Sequence, residues 1–362
     1  MLRITEYIKD TLKGKEPRVF NGVILIWNLT NVCNLYCKHC YSSANQIKDG
    51  ELSFEEIKKV VPELKKSGIK IAILSGGEPL MREDIYQISE YIKSHGIMTY
   101  LSTNGLLINE KNIDKIKEHF NYLGISIDGK PEMHDLFRGK RGAYEQSMNA
   151  IRLGLDRGIK VGLRYTFSSM NAESLPYIFE LVEKENIPKL YISHLVYTGR
   201  GNRLSSVERE NYKKSVEFII NKAFEYVENG VGIDIVTGNH EADAVLLYQE
   251  FKKRYPELSD KMYERLKIWG GNSSGERIIN IDFKGNVKPD TFYFHSVGNV
   301  KEKSFSEIFN GNGLLSKLRK HPREIEGKCS TCKFIEICNG SSRPRSYAVY
   351  GDYFMEDPAC YI

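Results

Sequence analysis

Apolar residues fall in short, regularly spaced runs along most of the first two thirds of the chain. Val23-Ile24-Leu25-Ile26-Trp27 reads as a buried strand, and the segments Lys70 to Leu74, Met98 to Leu101, Leu123 to Ile127, Lys160 to Thr166 and Lys189 to Leu195 read likewise. Stretches of about 15 to 20 residues at helical spacing separate them. In the first, Ser53-Phe54-Glu55-Glu56 has the form of a capping box, in which hydroxyl and carboxylate satisfy the orphan N–H groups of a helix start. Ile57, Val60, Val61 and Leu64 follow on one face, and Gly68 supplies the stop. Six β–α units in a row, with strands apolar on both faces, predict a parallel sheet covered by helices: an α/β fold, a partial (β/α)6 TIM-like barrel. Polar residues at the C-terminal ends of such strands are the candidates for chemistry.

Beyond a long helical stretch from about Ser205 to Asn229, the pattern changes. Residues 231–300 read as Gly-rich turns with one hairpin, Ile278 to Asp282 and Asn286 to Lys288, around Lys284-Gly285. From about residue 301 the tail carries two short helices. The expected division is a barrel over 1–235 and an extension over 236–362, consistent with a length of 362 residues at about 150 per domain. There is no internal repeat beyond the β–α alternation and no low-complexity segment.

Composition narrows the class only slightly. Hydrophobic residues make up 41% and charged residues 27%, near the globular norm, which excludes disordered, collagen-like and coiled-coil chains. No apolar run approaches the roughly 18 to 20 residues that span a bilayer, and charge interrupts the N-terminal segment, unlike a signal peptide. A cytoplasmic location and no membrane partner are therefore expected. The net charge of +5 is spread along the chain, which suits a small acidic substrate and gives no reason to expect nucleic acid.

Cysteine changes the picture. There are seven, Cys33, Cys37 and Cys40 near the start and Cys329, Cys332, Cys338 and Cys360 near the end. An odd count without a secretory signal points to metal or redox chemistry in a reducing compartment. The C-x3-C-x2-C spacing lies in the loop after the first strand, at the expected barrel mouth. Three thiolates suit a cluster with one open iron better than zinc, whose structural sites want four closed ligands. After the second strand comes Ser75-Gly76-Gly77-Glu78-Pro79, where glycines let the backbone approach a ligand and Glu78 can accept from an amine. The second group, C-x2-C-x5-C with a distant Cys360, leaves zinc and an iron–sulfur cluster both open on spacing alone.

C-x3-C-x2-C followed at the next strand end by GGEP resembles the radical S-adenosylmethionine (radical SAM) superfamily. The resemblance implies that Cys33, Cys37 and Cys40 bind a [4Fe-4S] cluster whose open iron chelates SAM. Reductive cleavage of SAM then gives a 5′-deoxyadenosyl radical. It further implies that Gly76, Gly77 and Glu78 receive the methionine amine, that Tyr36 and His39 flank the adenine side, and that Ser102, Asn104, Ser126 and Asp128 contact ribose or methionine. Arg164 is either a carboxylate clamp or an ion-paired barrel residue. The C-terminal cysteines resemble SPASM or twitch extensions, so the fold expected is the barrel plus a SPASM/twitch-like iron–sulfur extension. The segment 285–295 lacks the further cysteines of a full SPASM domain, so one auxiliary [4Fe-4S] cluster on Cys329, Cys332, Cys338 and Cys360 is expected, two clusters in all.

Segments 26–30, 193–202, 236–239, 269–275, 286–290 and 357–360 resemble the tetrapyrrole-modifying branch. That resemblance implies an iron tetrapyrrole substrate and an electron donor such as ferredoxin or flavodoxin. The activity implied is removal of acetate arms from 12,18-didecarboxysiroheme to give Fe-coproporphyrin III, or alternatively removal of propionates towards heme d1. Tyr197, Arg200, Arg203, Trp269, Phe292, Tyr293, Phe294, His295, Arg343 and Arg345 are candidate aromatic and basic contacts, or core. His194 and His295 are candidate iron ligands, or satisfied polar histidines. A SPASM-type peptide maturase is a further alternative, although no leader-binding segment is evident in the some 20 residues before the first strand. The non-enzymatic alternative is a zinc module in which both cysteine groups are structural.

Overall fold

The computed structural model describes residues 1–18, 20–45, 50–204 and 208–362. Its centre is one sheet of eleven strands: β1 (Leu2–Arg3), β2 (Val23–Asn28), β3 (Ile69–Ser75), β4 (Met98–Thr103), β5 (Tyr122–Ser126), β6 (Val161–Phe167), β7 (Lys189–His194), β8 (Asp234–Gly238), β9 (Ile278–Ile281), β10 (Asn286–Lys288) and β11 (Gly298–Asn299). Their hydrogen-bonded order is β1-β8-β7-β6-β5-β4-β3-β2-β9-β10-β11.

From β9 through β2 to β8 every neighbour is parallel, and β1, β10 and β11 join antiparallel. Parallel neighbours require crossovers, and helices supply them. The first crossover, Phe54–Lys66, begins with the anticipated capping box: Glu56 N–H donates to Ser53 Oγ at 3.2 Å and Ser53 N–H to Glu56 Oε2 at 2.7 Å. Its Ile57, Val60, Val61 and Leu64 are buried against the sheet. Strand residues such as Leu25, Trp27, Ala72, Leu74, Leu123 and Ile125, all on the face that the helices cover, are at most 1% exposed.

The six anticipated strands all form, within two residues of the expected bounds. Two more parallel strands, β8 and β9, extend the sheet beyond the six-unit expectation. β8 was masked by its brevity and by flanking Gly230 and Gly232; its pairing with β7 is a tertiary contact that no local pattern announces. The expected division between residues 235 and 236 falls inside this strand. The expected hairpin exists, but its first arm β9 is also a parallel neighbour of β2, so the extension is sewn into the barrel sheet. Between β8 and β9, where Gly-rich turns were expected, the chain forms helices Ala242–Arg254 and Ser259–Trp269. An N-terminal helix, Ile4–Leu12, also packs beside β8. The long crossover helix is Arg209–Glu228; the start of that expectation, residues 205–207, lies outside the described residues. Among the described residues no helix is long and apolar enough to cross a membrane.

Candidate active site and metal centres

The C-terminal ends of the parallel strands open onto one cavity of about 1630 Å³, its open mouth included. Cys33, Cys37 and Cys40 line it from the loop after β2, with Gly76 and Gly77 after β3, Ser102 and Asn104 at the end of β4, Ser126 at the end of β5, and Arg164 within β6.

The Gly-Gly pair is demanded by backbone proximity. Gly77 N–H donates to Thr30 O at 2.7 Å and Glu78 N–H to Val32 O at 2.8 Å, tying the β3 loop to the start of the cysteine loop. A Cβ on Gly77 would lie 2.2 Å from Val32 O, and one on Gly76 2.5 Å from Thr30 O. Side chains there would push apart the loops that must meet around a ligand.

Two expected cofactor contacts do not face the cavity. Glu78 is fully buried, and its carboxylate accepts Leu80 N–H (3.1 Å), Thr103 Oγ1 (2.7 Å) and Asn104 N–H (2.8 Å). It splices the β3 loop to the β4 loop, and burial raises its pKa above the usual 4.5. Asp128 is likewise fully buried, held by Arg138 Nε at 2.6 Å and by the N–H of Thr166 at 2.8 Å. Both carboxylates face donors supplied by their own framework, so they support the site from behind. Arg164 has no ion pair among the described residues; its guanidinium lies 4.9 Å from the Tyr191 ring centroid and faces the cavity.

Two arginines fasten the cysteine loop. Arg138, on helix Pro131–Arg138, bridges Asp128 and the Cys37 thiol, 3.8 Å from Nη1. Arg200 donates to Cys37 O and Ala44 O, both at 2.8 Å, and covers the Tyr36 ring at 4.0 Å. Its Nη2 is buried without a partner among the described residues, and the residue lines the cavity. Tyr36 itself is 64% exposed and outside the cavity lining, whereas His39 lines it, stacked on Phe137 at 4.2 Å. Sequence spacing gave no hint of Arg138, because its contact with the cysteine loop spans about a hundred residues.

The thiols fit iron–sulfur ligation. Burial pushes Cys33 up to about 12 and raises Cys37, so each would remain protonated without a bound cation. Iron reverses that preference, because its charge stabilises the thiolate. In the second group burial raises Cys329 to about 11 and also raises Cys338 and Cys360, with neighbouring thiols adding to each. All seven cysteines are free, and among the described residues no three Cys, His, Asp or Glu side chains converge as a single metal ion requires.

Of the candidate substrate contacts, Arg200 and Phe292 line the cavity. Trp269, Tyr293, Arg343 and Arg345 are buried elsewhere, Arg343 bonding carbonyls within the extension and Arg345 bonding Asp357 and Leu195 O. Arg203, Phe294 and His295 are exposed. His194 lines the cavity, but its two ring nitrogens are engaged by Asp243 and Tyr212, so the satisfied-histidine reading holds.

Thiols in the first β–α loop, beside a Gly-Gly loop at the C-terminal edge of a parallel sheet, fit an enzyme built around an iron–sulfur centre. Residues 27–182 match the radical SAM superfamily and residues 273–333 the SPASM iron–sulfur cluster-binding domain. The chain belongs to the radical SAM superfamily: it is a radical SAM enzyme whose cofactors are iron–sulfur clusters and SAM.

It is 39% identical over 373 residues to the pre-heme d1 synthase of Dinoroseobacter shibae, covering 100% of this chain and 92% of that protein. To the Fe-coproporphyrin III synthase of Methanosarcina barkeri it is 36% identical over 370 residues, covering 99% and 91%. Among solved structures, anSMEcpe with bound AdoMet superposes with a TM-score of 0.73 at 20% identity, over 93% of this chain and 90% of that one. Streptococcus suis SuiB bound to S-adenosylmethionine gives 0.71 at 16%, over 94% and 77%. The resemblance to radical SAM enzymes read from the cysteine and GGEP motifs, and to their tetrapyrrole-modifying branch read from the further segments, is thus borne out.

Proposed function

We propose that this chain removes carboxylate-bearing side chains from an iron tetrapyrrole, acting on 12,18-didecarboxysiroheme to release two acetates and give Fe-coproporphyrin III. The observation that carries the reading is one cavity faced by three thiols, a Gly-Gly loop and two arginines, Arg164 and Arg200, with unused donor capacity. In this reading Cys33, Cys37 and Cys40 hold the SAM-binding [4Fe-4S] cluster. The backbone at Gly76 and Gly77, with Ser102, Asn104 and Ser126, receives SAM, while Glu78 and Asp128 hold those loops in register. Cys329, Cys332, Cys338 and Cys360 hold one auxiliary [4Fe-4S] cluster. When bound, cluster and SAM supply a 5′-deoxyadenosyl radical that abstracts a substrate hydrogen.

The chain's own residues do the rest. Arg164 can hold a carboxylate arm with two parallel guanidinium donors, and Arg200, whose Nε and Nη1 are spent on the cysteine loop, adds its free Nη2. Phe292 gives an aromatic surface to the macrocycle. The working division is a SAM-binding barrel and a cluster-bearing extension that shares its sheet. A low-potential one-electron carrier of the ferredoxin or flavodoxin class serves as donor, and seven free thiols fit the reducing cytoplasm.

The 39% identity to a pre-heme d1 synthase favours a second reading, removal of propionates towards heme d1. Incubating the anaerobically reduced enzyme and SAM with didecarboxysiroheme, followed by mass analysis, separates the two. Loss of two acetates supports the first reading and loss of propionates the second. Deoxyadenosine formed beside unchanged tetrapyrrole refutes both.

A further inference from the structure

Cys360 lies twenty-two residues beyond Cys338, so the C-x2-C-x5-C loop does not itself fix its position. Contacts with the barrel do. Downstream of Cys360, the Tyr361 hydroxyl donates to Asp243 Oδ1 at 2.8 Å, and its ring stacks on His240 with centroids 4.9 Å apart and planes 10° from parallel. His240 Nε2 lies 3.1 Å from Ala359 O, just upstream of the cysteine. Asp243 is fully buried, and its other oxygen lies 2.7 Å from Nε2 of His194, a wall residue of the SAM cavity.

The opposite flank is clamped too. Asp357 accepts Arg345 Nε at 3.0 Å and Nη2 at 2.7 Å, and its carbonyl accepts Cys360 N–H at 3.0 Å. Arg345 Nη1 reaches Leu195 O at 3.0 Å, again on the cavity wall. Buried, charge-assisted contacts such as Arg345–Asp357 and His194–Asp243 hold geometry well, because a low local dielectric strengthens them.

We propose that Tyr361 and Asp243, with Arg345 and Asp357, are positioning residues for the auxiliary iron–sulfur centre, fixing Cys360 against the wall of the SAM cavity. The inference rests on Cys360 being a cluster ligand, as in the function proposed above.

The test uses full-length Cys360→Ala, Tyr361→Phe and Asp243→Asn, reconstituted anaerobically, with iron content, the reduced-cluster EPR spectrum and SAM cleavage as readouts. Wild type should carry about eight irons, as two four-iron clusters require. Cys360→Ala should lose the auxiliary EPR signal. Tyr361→Phe, which keeps the ring and deletes one hydroxyl, should shift that signal or lower it at least twofold, with SAM cleavage and the first cluster intact. Asp243→Asn should do the same more strongly. If Cys360→Ala keeps both signals, the ligand assignment fails. If Cys360→Ala loses the signal while Tyr361→Phe and Asp243→Asn match wild type, the positioning inference is overturned. Loss of both clusters together in Tyr361→Phe would also overturn it, since that is the mark of general destabilisation.

Discussion

Glu78→Gln isolates what the buried carboxylate contributes to the SAM-binding loops. Its two oxygens serve different backbone donors, Leu80 N–H on Oε1 and Asn104 N–H on Oε2, and Thr103 Oγ1 adds a third bond. An amide keeps one acceptor and turns an NH2 group towards the other N–H. The variant therefore loses a charge-assisted bond and leaves a buried donor unsatisfied, a cost of about 3 kcal/mol. At roughly 2 cal/mol/K of unfolding entropy per residue over 362 residues, this corresponds to a fall in Tm of about 4 °C. The assay is anaerobic thermal denaturation of cluster-loaded protein, paired with SAM binding. Binding should weaken, because Asn104 and the Gly-Gly loop no longer share an anchor. A Tm within 1 °C of wild type, with unchanged SAM affinity, would refute the bridging role.

Three further outcomes follow from the same contacts. Gly77→Ala, whose Cβ would meet Val32 O at 2.2 Å, should yield protein lacking the first cluster, measured as a loss of about half the iron. Arg138→Gln should leave the buried Asp128 without its guanidinium and cost about 3 to 5 kcal/mol in chemical denaturation, more than the exposed Arg152→Gln. Asp290 is pushed up by burial from 3.8 to about 6, so the folded state binds the proton more tightly than the unfolded one. Its contribution is present below pH 4 and is lost as pH rises through 6, worth roughly 3 kcal/mol at 1.36 kcal/mol per unit. Asp290→Asn should flatten that limb of the stability curve; an unchanged curve would show that Asp290 is not its source.

Much of this protein was legible locally. Period-two and buried apolar runs marked six strands within two residues, because the face under the helices admits little but apolar residues. The capping box at Ser53 and the hairpin at Lys284-Gly285 also emerged as read. C-x3-C-x2-C followed by GGEP carried the resemblance to the radical SAM superfamily that the family match bears out.

What the chain alone determined, then, is the inventory: which residue types lie at which strand ends, and hence the cofactors. Tertiary structure decided their direction. Glu78 and Asp128 stand in the right loops yet turn inward, because converging backbone N–H groups and Arg138 compete for them more strongly than the cavity does. Arg343 and Arg345, readable as substrate contacts, are consumed by carbonyls and Asp357. β8 and β9 complete the sheet through partners far away in sequence, and Cys360 owes its place to Asp243 and His240 across the barrel rim. Local pattern reports propensity and burial, whereas the pairing of one buried polar group with another depends on distances that only the folded chain sets.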